Sequence, residues 1–379
     1  MCEKTLSVAV IGAGPFGMQM LRALRSLDQV QLVAVGDKDP ALCKNVVSEF
    51  GIETFGDNRL LLESARPQVV FMSVPPSVGA EIVSACAKRG IHLWKDTPLA
   101  RSLEEGVVLA RMMDKANCKF AVGTQRRFVR SYLRAKELSS KIGQVFLARA
   151  HYLFNWSDDL GWRGDKEAAG GGALLELGYH PIDMLLWMLS LPSEAYGLVA
   201  GGRPAPRGDH PRPVYDTDDT AGAILKYDNE LIATVVTTRS SGPVSEELSL
   251  HGEKGSITVN GDRCIFRDPD GSIVDQTEND LAPGDIFVSQ AEAFVNAVLE
   301  DSPQYYCSAM ENLLNQAVVE AIYLSNRTGQ AESIEKILKT HRITVDECFM
   351  HTPSDAEPAA ESEPEEENIF DPNEDLGEL

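Results

Sequence analysis

The sequence predicts an α/β chain of two domains, the first built on a parallel sheet and the second on a large, mostly antiparallel open sheet. Three observations lead to this prediction. Short apolar strands alternate with amphipathic helices up to about residue 123, and strands joined by tight turns follow one another after about residue 220. The 379 residues also exceed one ordinary hydrophobic core. We place the domains at residues 1–125 and 126–345.

The elements of the first domain follow from apolar runs and helical spacing. Continuous apolar runs suit parallel strands that are covered on both faces, and two later segments, 77–89 and 102–116, carry apolar residues at helical spacing. The predicted strands are Leu6–Ile11, Val30–Gly36, 69–74, 91–94 and 119–122.

The second domain begins with a helix and a strand at 145–152, after which three glycines open an apolar helix predicted over 173–189. Turn signals such as Asp228-Asn229 then separate consecutive strands, which indicates antiparallel pairing. The remaining strands are predicted at 220–226, 231–238, 246–250, 256–259 and 263–266, and two closing helices at 286–299 and 310–325.

Composition argues against several classes of protein. The net charge is −22, and residues 351–379 alone hold eleven acidic and no basic residues, so we expect an acidic disordered tail there. No basic stripe occurs, so neither nucleic acid nor membrane is an expected partner. The seven cysteines lack zinc-type spacing, which predicts reduced thiols and no metal site. No apolar run spans a membrane, and the first strand leaves no room for a signal peptide; the predicted location is the cytoplasm.

A glycine-rich turn follows the first strand. Gly12, Gly14 and Gly17 form Gly-x-Gly-x-x-Gly between a strand and a helix, with Pro15 and Phe16 opening that helix. This is the Rossmann fingerprint: the glycines allow a tight turn, close approach of a pyrophosphate and close helix packing. The free amides of the helix N-terminus favour the phosphates.

An acidic residue, Asp37, ends the second strand twenty residues after Gly17. A carboxylate at this position can bind the adenine ribose. This favours NAD. Lys38 could instead meet a 2′-phosphate, so NADP stays possible. Val74, Pro75 and Asp96, which follow later strands, complete the candidate cofactor contacts.

A carboxylate and an imidazole are four residues apart in the apolar helix of the second domain. Glu176 and His180 would share one helical face, with Asp183 a further three residues on. An imidazole titrates near neutral pH and can take the proton of a secondary alcohol, and a carboxylate can orient it. A structural surface or buried pair is the alternative. Pro181 also predicts a kink at His180.

Several segments together resemble the glucose-fructose oxidoreductase, inositol dehydrogenase and rhizopine-catabolism (Gfo/Idh/MocA) family over about residues 5–330. Besides the fingerprint, the resemblance rests on these segments: Trp162-Arg163, the run from Gly170 to Asp183, Asp218-Asp219-Thr220-Ala221, and Gly252 to Ser256. It implies a Rossmann domain joined to an α/β domain whose open sheet often serves oligomerisation, and oxidation of sugar or cyclitol hydroxyls. A homo-oligomer is therefore expected.

The sequence departs from the family at two positions. The family's Glu-Lys-Pro motif aligns with Asp96-Thr97-Pro98, so Thr97 stands where the proton-assisting lysine is expected. Lys95 points the same way in extended chain and could substitute, or could be a surface or salt-bridging lysine. Glu176 replaces the family's aspartate, which keeps the carboxylate on a longer arm.

The resemblance also suggests substrate contacts. Arg127 would bind hydroxyls or brace the cleft between domains, and Trp162-Arg163 would supply a stacking ring and a polar clamp, or merely anchor a loop. Tyr179 and Asp183 complete the candidate substrate residues.

The predicted function is hydride transfer between NAD(H) and a secondary hydroxyl or ketone of a sugar, cyclitol or sugar acid. His180 is the candidate acid-base residue, oriented by Glu176, and Lys95 or Thr97 would bond the reacting oxygen. Two alternatives stay open: an NAD-dependent glycoside-cleaving enzyme of the same fold, and a non-catalytic dinucleotide-binding regulator.

Overall fold

The structure is a computed structural model that describes residues 5–205 and 214–353. Most of the predicted acidic tail and Cys2 lie outside the described residues. Apolar strands and amphipathic helices alternate in the first domain as predicted. Its elements are β1 (Leu6–Ile11), α1 (Pro15–Arg25), β2 (Val30–Gly36), α2 (Pro40–Phe50), β3 (Thr54–Phe55), α3 (Asn58–Ser64), β4 (Val69–Met72), α4 (Pro76–Ala87), β5 (His92–Lys95), α5 (Leu103–Lys115) and β6 (Phe120–Val122).

All six strands of the first sheet are parallel, in the order β3-β2-β1-β4-β5-β6. The order reverses between β1 and β4, and the carboxyl ends of all strands lie along one edge. In open parallel sheets this reversal opens a crevice in which ligands bind. The first domain therefore presents a binding crevice between the turns that follow β1 and β4.

The second domain is built around one long strand and three buried helices. Its elements are α6 (Arg130–Leu138), β7 (Val145–Asn155), α7 (Lys166–Ala169), α8 (Ala173–Glu176), α9 (Tyr179–Met188), β8 (Glu194–Gly201), β9 (Asp218–Lys226), β10 (Ile232–Thr238), β11 (Ser240–Gly252), β12 (Gly255–Val259), β13 (Arg263–Arg267), β14 (Ile273–Glu278), α10 (Pro283–Leu299), α11 (Ala309–Thr328), β15 (Glu332–Ser333), α12 (Ile334–Thr340) and α13 (Val345–Phe349). Three 3₁₀ turns, Gln125–Phe128, Ser139–Ile142 and Gly161–Gly164, connect them.

The second sheet has nine strands in the order β14-β13-β12-β11-β7-β10-β9-β8-β15, and only β7 and β10 pair in parallel. The prediction of a large, mostly antiparallel sheet is confirmed. Helices α8, α9 and α11 cover one face. The opposite face of β8, β9 and β10 is open and carries apolar side chains.

Helix α10 lies in the first domain although it comes late in the chain. It packs against α1, and Phe294 on α10 meets Phe71 on β4 edge-on, with ring centroids 5.9 Å apart. Helix α10 thus falls within the residues 126–345 that we predicted as the second domain but packs against the parallel sheet. The apolar face of α10 is buried on the parallel sheet, a contact that no local pattern reveals.

A buried guanidinium ties the connection that follows the first domain to two helices of the second. Arg127 follows β6 and is 4% exposed; its Nε and Nη2 donate to the two carboxylate oxygens of Asp183 on α9, at 3.0 and 2.7 Å. Its Nη1 donates to Glu311 on α11 at 2.6 Å, and Asn315 donates to Asp183 at 2.9 Å. We call Arg127, Asp183 and Glu311 the interdomain ion cluster.

No helix in the described ranges is both long and apolar enough to cross a membrane. The six cysteines of those ranges are free thiols, and no group of three His, Cys, Asp or Glu side chains there could hold a metal ion.

Replacing Arg127 with alanine would leave two buried carboxylates without their cation. We expect Arg127→Ala to lower the free energy of unfolding by about 3–5 kcal/mol, measured by urea denaturation. Lys339→Ala is the matched control, because Lys339 pairs with Glu335 on the exposed face of α12 and such pairs contribute about 0–1 kcal/mol. Equal stability of the two variants would show that the interdomain ion cluster does not hold the domains.

Candidate active site

The glycine-rich turn between β1 and α1 has the shape that a dinucleotide requires. Gly12 has φ +96°, and a Cβ there would overlap the carbonyl of Ser73; a Cβ on Gly17 would overlap the carbonyl of Gly12. A Cβ on Gly14, in contrast, would meet no protein atom within 4 Å. Gly12 and Gly17 thus permit the packing of the turn, whereas Gly14 keeps a surface open.

Helix α1 begins at this open surface. Gly14 is its N-cap, no described side chain caps it, and Pro15 occupies the first turn. Phe16 is 42% exposed beside it. Uncapped amides and the positive end of the helix dipole favour an anion such as a pyrophosphate.

The carboxylate after β2 is held against the same turn. Asp37 accepts hydrogen bonds from the amides of Ala13 at 2.7 Å and Asp39 at 2.8 Å. A carboxylate has about four acceptor sites, so two remain for a ribose diol. Lys38 is exposed and makes no ion pair within the described ranges. This arrangement fits an adenosine without a 2′-phosphate, and the glycine turn beside it fits the pyrophosphate.

The ends of β4 and β5 complete this edge of the sheet. Val74 lies beside Gly12, and Pro75 is the N-cap of α4. Asp96 accepts a hydrogen bond from the hydroxyl of Ser73, and burial raises the pKa of its carboxyl to about 6 despite that bond and the charges of Lys95 and Arg163. Arg163 belongs to the second domain, so the two domains face each other at Asp96.

Lys95 does not present its ammonium to this cleft. It is 4% exposed beneath α4, and its Nζ donates to the carbonyl of Pro98. Burial lowers its pKa to about 8. We predicted either that Lys95 replaces the motif lysine or that it is a surface or salt-bridging lysine; the geometry instead fits a buried lysine that holds the turn at residues 96–98. Thr97, in that turn, is half-buried, and its hydroxyl bonds no described group.

The helix predicted over 173–189 is broken in two. Helix α8 ends at Glu176 and α9 begins at Tyr179. Pro181 falls in the first turn of α9, where an amide has no intrahelical partner, so the helix accommodates it without a kink. The predicted kink at His180 is wrong, because the break lies before it, at Leu177 and Gly178.

Asp218 on β9 fixes the start of α8. Its carboxylate accepts hydrogen bonds from the amides of Gly172 and Leu174, each at 2.8 Å, and from the hydroxyl of Tyr323 at 2.7 Å. A Cβ on Gly172 would overlap the backbone of Asp218. The carboxylate of Asp218 therefore caps the start of α8, and the absence of a side chain at Gly172 lets the two segments approach.

Glu176 bonds an arginine instead of the imidazole. Its Oε1 accepts from Nε of Arg163 at 2.5 Å, and no hydrogen bond joins it to His180. The guanidinium of Arg163 lies between two indole rings, 4.0 Å from the centroid of Trp156 and 4.3 Å from that of Trp162. The structure thus brings Glu176, Trp162 and Arg163 together but leaves Glu176 without a direct hold on His180.

His180 has a free imidazole in a charged setting. Its ring meets Tyr152 edge-on at 6.0 Å and bonds no described group. Burial lowers its pKa to about 3, and the charge of Arg126 adds to this effect while Glu246 opposes it. The imidazole is therefore neutral at physiological pH and available as a proton acceptor.

Arg126, which the sequence analysis passed over in favour of Arg127, lies near His180. Its Nε and Nη2 donate to Glu246 on β11 at 3.0 and 2.6 Å, and its guanidinium lies 5.0 Å from the ring centroid of Tyr152. Two adjacent arginines look alike in sequence. Only the fold shows that one faces His180 and the other the interior.

Three predicted substrate residues lie in the protein interior. Arg127 and Asp183 belong to the interdomain ion cluster, and Tyr179 is fully buried with its hydroxyl on Asn312 at 2.9 Å. The alternative role considered for Arg127, bracing the two domains, is the one that the geometry fits. We correct the assignment of all three residues from substrate contacts to supports of α9.

An aromatic stripe runs along one face of β7 and just beyond it. Tyr152, Phe154 and Trp156 alternate along the strand, with ring centroids 6.5 and 5.1 Å apart. Ala148 and Ala150 on the same face are buried. The stripe extends from His180 to Arg163 and forms a wall of half-buried rings. A separate cavity of about 520 Å³, between the start of α5, β8 and α11, contains none of the predicted site residues.

Two glycine substitutions separate folding from cofactor binding. Gly17→Ala should destabilise the protein by about 1–3 kcal/mol, because the new Cβ overlaps backbone. Gly14→Ala should leave the melting temperature unchanged but weaken NADH binding about tenfold or more, since its Cβ occupies the open surface. Thermal unfolding without cofactor and NADH fluorescence titration measure the two effects. Unaltered NADH affinity of Gly14→Ala would place the pyrophosphate elsewhere.

Comparisons with known proteins agree with this geometry. Residues 6–124 match the family model described as an oxidoreductase family with an NAD-binding Rossmann fold, and residues 132–258 match the GFO/IDH/MocA C-terminal domain. Levoglucosan dehydrogenase of Pseudarthrobacter phenanthrenivorans is 27% identical over 69% of this chain and 75% of its own length. A D-xylose 1-dehydrogenase (NADP(+)) of Haloferax volcanii is 24% identical over 86% of this chain and 99% of its own.

Among solved structures, levoglucosan dehydrogenase in complex with NADH and L-sorbose superposes with a TM-score of 0.80 at 22% identity, covering 88% of this chain and 100% of its own. That likeness supports the fold. The matched family models and the named dehydrogenase relatives confirm the resemblance, the enzyme class and the cofactor. The chain belongs to the GFO/IDH/MocA family and is an NAD(P)-binding oxidoreductase.

Proposed function

We propose that the protein is a dehydrogenase that transfers a hydride between NAD(H) and a secondary hydroxyl or ketone of a sugar, cyclitol or sugar acid. The observation that carries this proposal is His180, whose imidazole bonds no described group and lies against the aromatic stripe, near the charges of Arg126 and Glu246. An unprotonated imidazole can accept the hydroxyl proton as the hydride leaves.

The residues of the first domain fit the cofactor. The turn from Gly12 to Gly17 and the start of α1 would hold the pyrophosphate, Asp37 the adenine ribose, and Val74, Pro75 and Asp96 the nicotinamide half. When bound, NAD accepts the hydride of the carbinol carbon. Asp37 favours NAD, although one relative is named for its use of NADP(+).

His180 would be the acid-base residue, and the hydroxyl of Thr97 would bond the reacting oxygen. Glu176 would contribute indirectly: its hydrogen bond holds Arg163 in place between Trp156 and Trp162. Lys95 would stabilise the turn that carries Thr97.

The aromatic stripe supports a sugar substrate. Sugar rings have apolar C–H faces that pack on aromatic rings, and Arg163 beside Trp162 can bond their hydroxyls. Two relatives are named for sugars, levoglucosan and D-xylose. The free cysteines, five of them buried, fit the reducing cytoplasm that we propose as the location.

The direct test follows absorbance at 340 nm with NAD or NADP and a panel of cyclitols, aldoses and sugar acids. We expect NAD reduction by at least one sugar. His180→Ala should lower kcat/KM about 10²–10⁴-fold, while His341→Ala, at the end of α12, should retain full rate. Tight NAD binding without net reduction would instead support transient oxidation during glycoside cleavage, or a regulator without catalysis.

The pH profile checks the state of His180. With a pKa of about 3, the imidazole is already neutral at pH 5. The acidic limb of kcat/KM that reports this base should therefore lie below pH 5, rather than near the ordinary value of about 6.5. A limb near 6.5 that disappears in His180→Ala would contradict the buried setting described for this residue.

We also propose that the open sheet face mediates a homo-oligomer. Leu198 on β8 and Val236 on β10 flank Gly222 in one row, and Ile224 and Tyr196 pair in the next. These four side chains are 41–59% exposed, and a contiguous apolar patch of this kind usually marks an interface.

Light scattering after size-exclusion chromatography tests the oligomer. We expect a mass above one chain for the wild-type protein and dissociation in Leu198→Lys/Ile224→Lys, because buried lysines in an apolar interface lack partners. Val345→Lys, at an exposed position of α13, is the control. A monomeric wild-type protein would refute the proposal.

A further inference from the structure

We infer that Arg126 is a second catalytic residue, whose guanidinium donates a hydrogen bond to the reacting oxygen and stabilises the negative charge that develops there. The inference rests on the proposed dehydrogenase function. It extends that function by naming a cation that can stabilise the charge developing on the reacting oxygen.

The position of Arg126 is suited to this task. It lies in the turn that follows β6, on the crevice edge of the parallel sheet. Its guanidinium packs over Tyr152 at 5.0 Å, and the ring of Tyr152 lies 6.0 Å from that of His180. Arg126 and His180 thus share one aromatic neighbour at the start of the aromatic stripe.

Its hydrogen-bonding capacity is only partly used. Nε and Nη2 donate to Glu246, and Nη1 donates to the side-chain oxygen of Gln125 at 2.8 Å in the amide orientation that satisfies both atoms of Gln125. A guanidinium carries five N–H donors. Two remain, one on each terminal nitrogen, and can bond an oxygen in the cleft.

The guanidinium is also held in place before any ligand binds. Glu246 accepts the hydroxyl of Tyr132 as well, and the side chains of Arg126 and Glu246 are 13% and 19% exposed. A positive charge that is already held in place, away from bulk water, can stabilise negative charge on a reacting oxygen without first having to move.

Two other cations near the cleft are committed elsewhere, and a third, Arg163, lies between Trp156 and Trp162 at the end of the aromatic stripe far from His180. Arg127 uses Nε and both terminal nitrogens on two carboxylates in the interior. Lys95 points its Nζ at the carbonyl of Pro98. Since Thr97 supplies no charge, Arg126 takes over the electrostatic role at the reacting oxygen.

The reaction balances with these groups. During oxidation the O–H proton would pass to the neutral imidazole of His180, and the carbinol hydrogen would leave with the C–H electron pair, as hydride, to oxidised nicotinamide. The C–O bond becomes C=O. Negative charge grows on the oxygen as its proton leaves, and the guanidinium meets that charge; in reduction the same charge grows on the carbonyl oxygen.

The test compares the double variant Arg126→Met/Glu246→Gln with the single variant Glu246→Gln. The double variant leaves no unpaired buried carboxylate, so both should fold and bind NADH as the wild-type protein does. We expect kcat of the double variant to fall about 10²–10³-fold below that of the single variant, with KM nearly unchanged because the contact strengthens only in the transition state. Added guanidinium ion should partly restore kcat of the double variant alone.

A second measurement tests whether Arg126 lies close to His180 and does not depend on catalytic turnover. In NMR titrations the pKa of His180 should be higher in the double variant than in the single variant, because loss of the positive charge of Arg126 favours the imidazolium. Glu246, the other charge that acts on the ring, is neutralised in both variants. Equal kcat or equal pKa in the two variants would overturn the role of Arg126 alone. A wild-type protein that reduces no NAD would overturn the proposed function and this role together.

Discussion

The architecture of the site depends on one buried guanidinium. Arg127 comes from the connection after the parallel sheet and neutralises two carboxylates on helices of the second domain, Asp183 on α9 and Glu311 on α11. Isolated buried charges are costly, so each of these groups requires the others. Because Asp183 lies one helical turn beyond His180, this cluster fixes the imidazole relative to the crevice of the first domain.

Two kinds of charged group surround this framework. Structural charges are fully compensated, as in the interdomain ion cluster and in Asp218 at the start of α8. Groups beside the cleft keep unused capacity: His180 bonds no described group, and Arg126 retains two donors. Asp96, with a pKa of about 6, could change its protonation within the physiological range. The chemistry we propose uses only groups of the second kind.

Local sequence patterns predicted the features of the cofactor half of the protein. The side-chain partners in the other half depend on contacts between residues far apart in the chain. The glycine turn and Asp37 are readable in sequence because a strand, a turn and a helix N-terminus are fixed by adjacent residues. The partner of Glu176 cannot be read from the sequence, since Arg163 reaches it from a separate turn thirteen residues earlier in the chain. The same holds for the choice between Arg126 and Arg127, which depends on carboxylates more than fifty residues away. Helix α10 likewise returns to the first domain through packing alone.

The most direct test of the account is a crystal structure with NADH and a sugar that the protein oxidises. The account predicts that the imidazole of His180 lies within hydrogen-bonding distance, or one bridging water, of the hydroxyl whose carbon faces the nicotinamide. It also predicts that Arg127 remains in the interior and bonds no substrate atom. A sugar bound over the nicotinamide with His180 beyond one water, or held by Arg127, would contradict it.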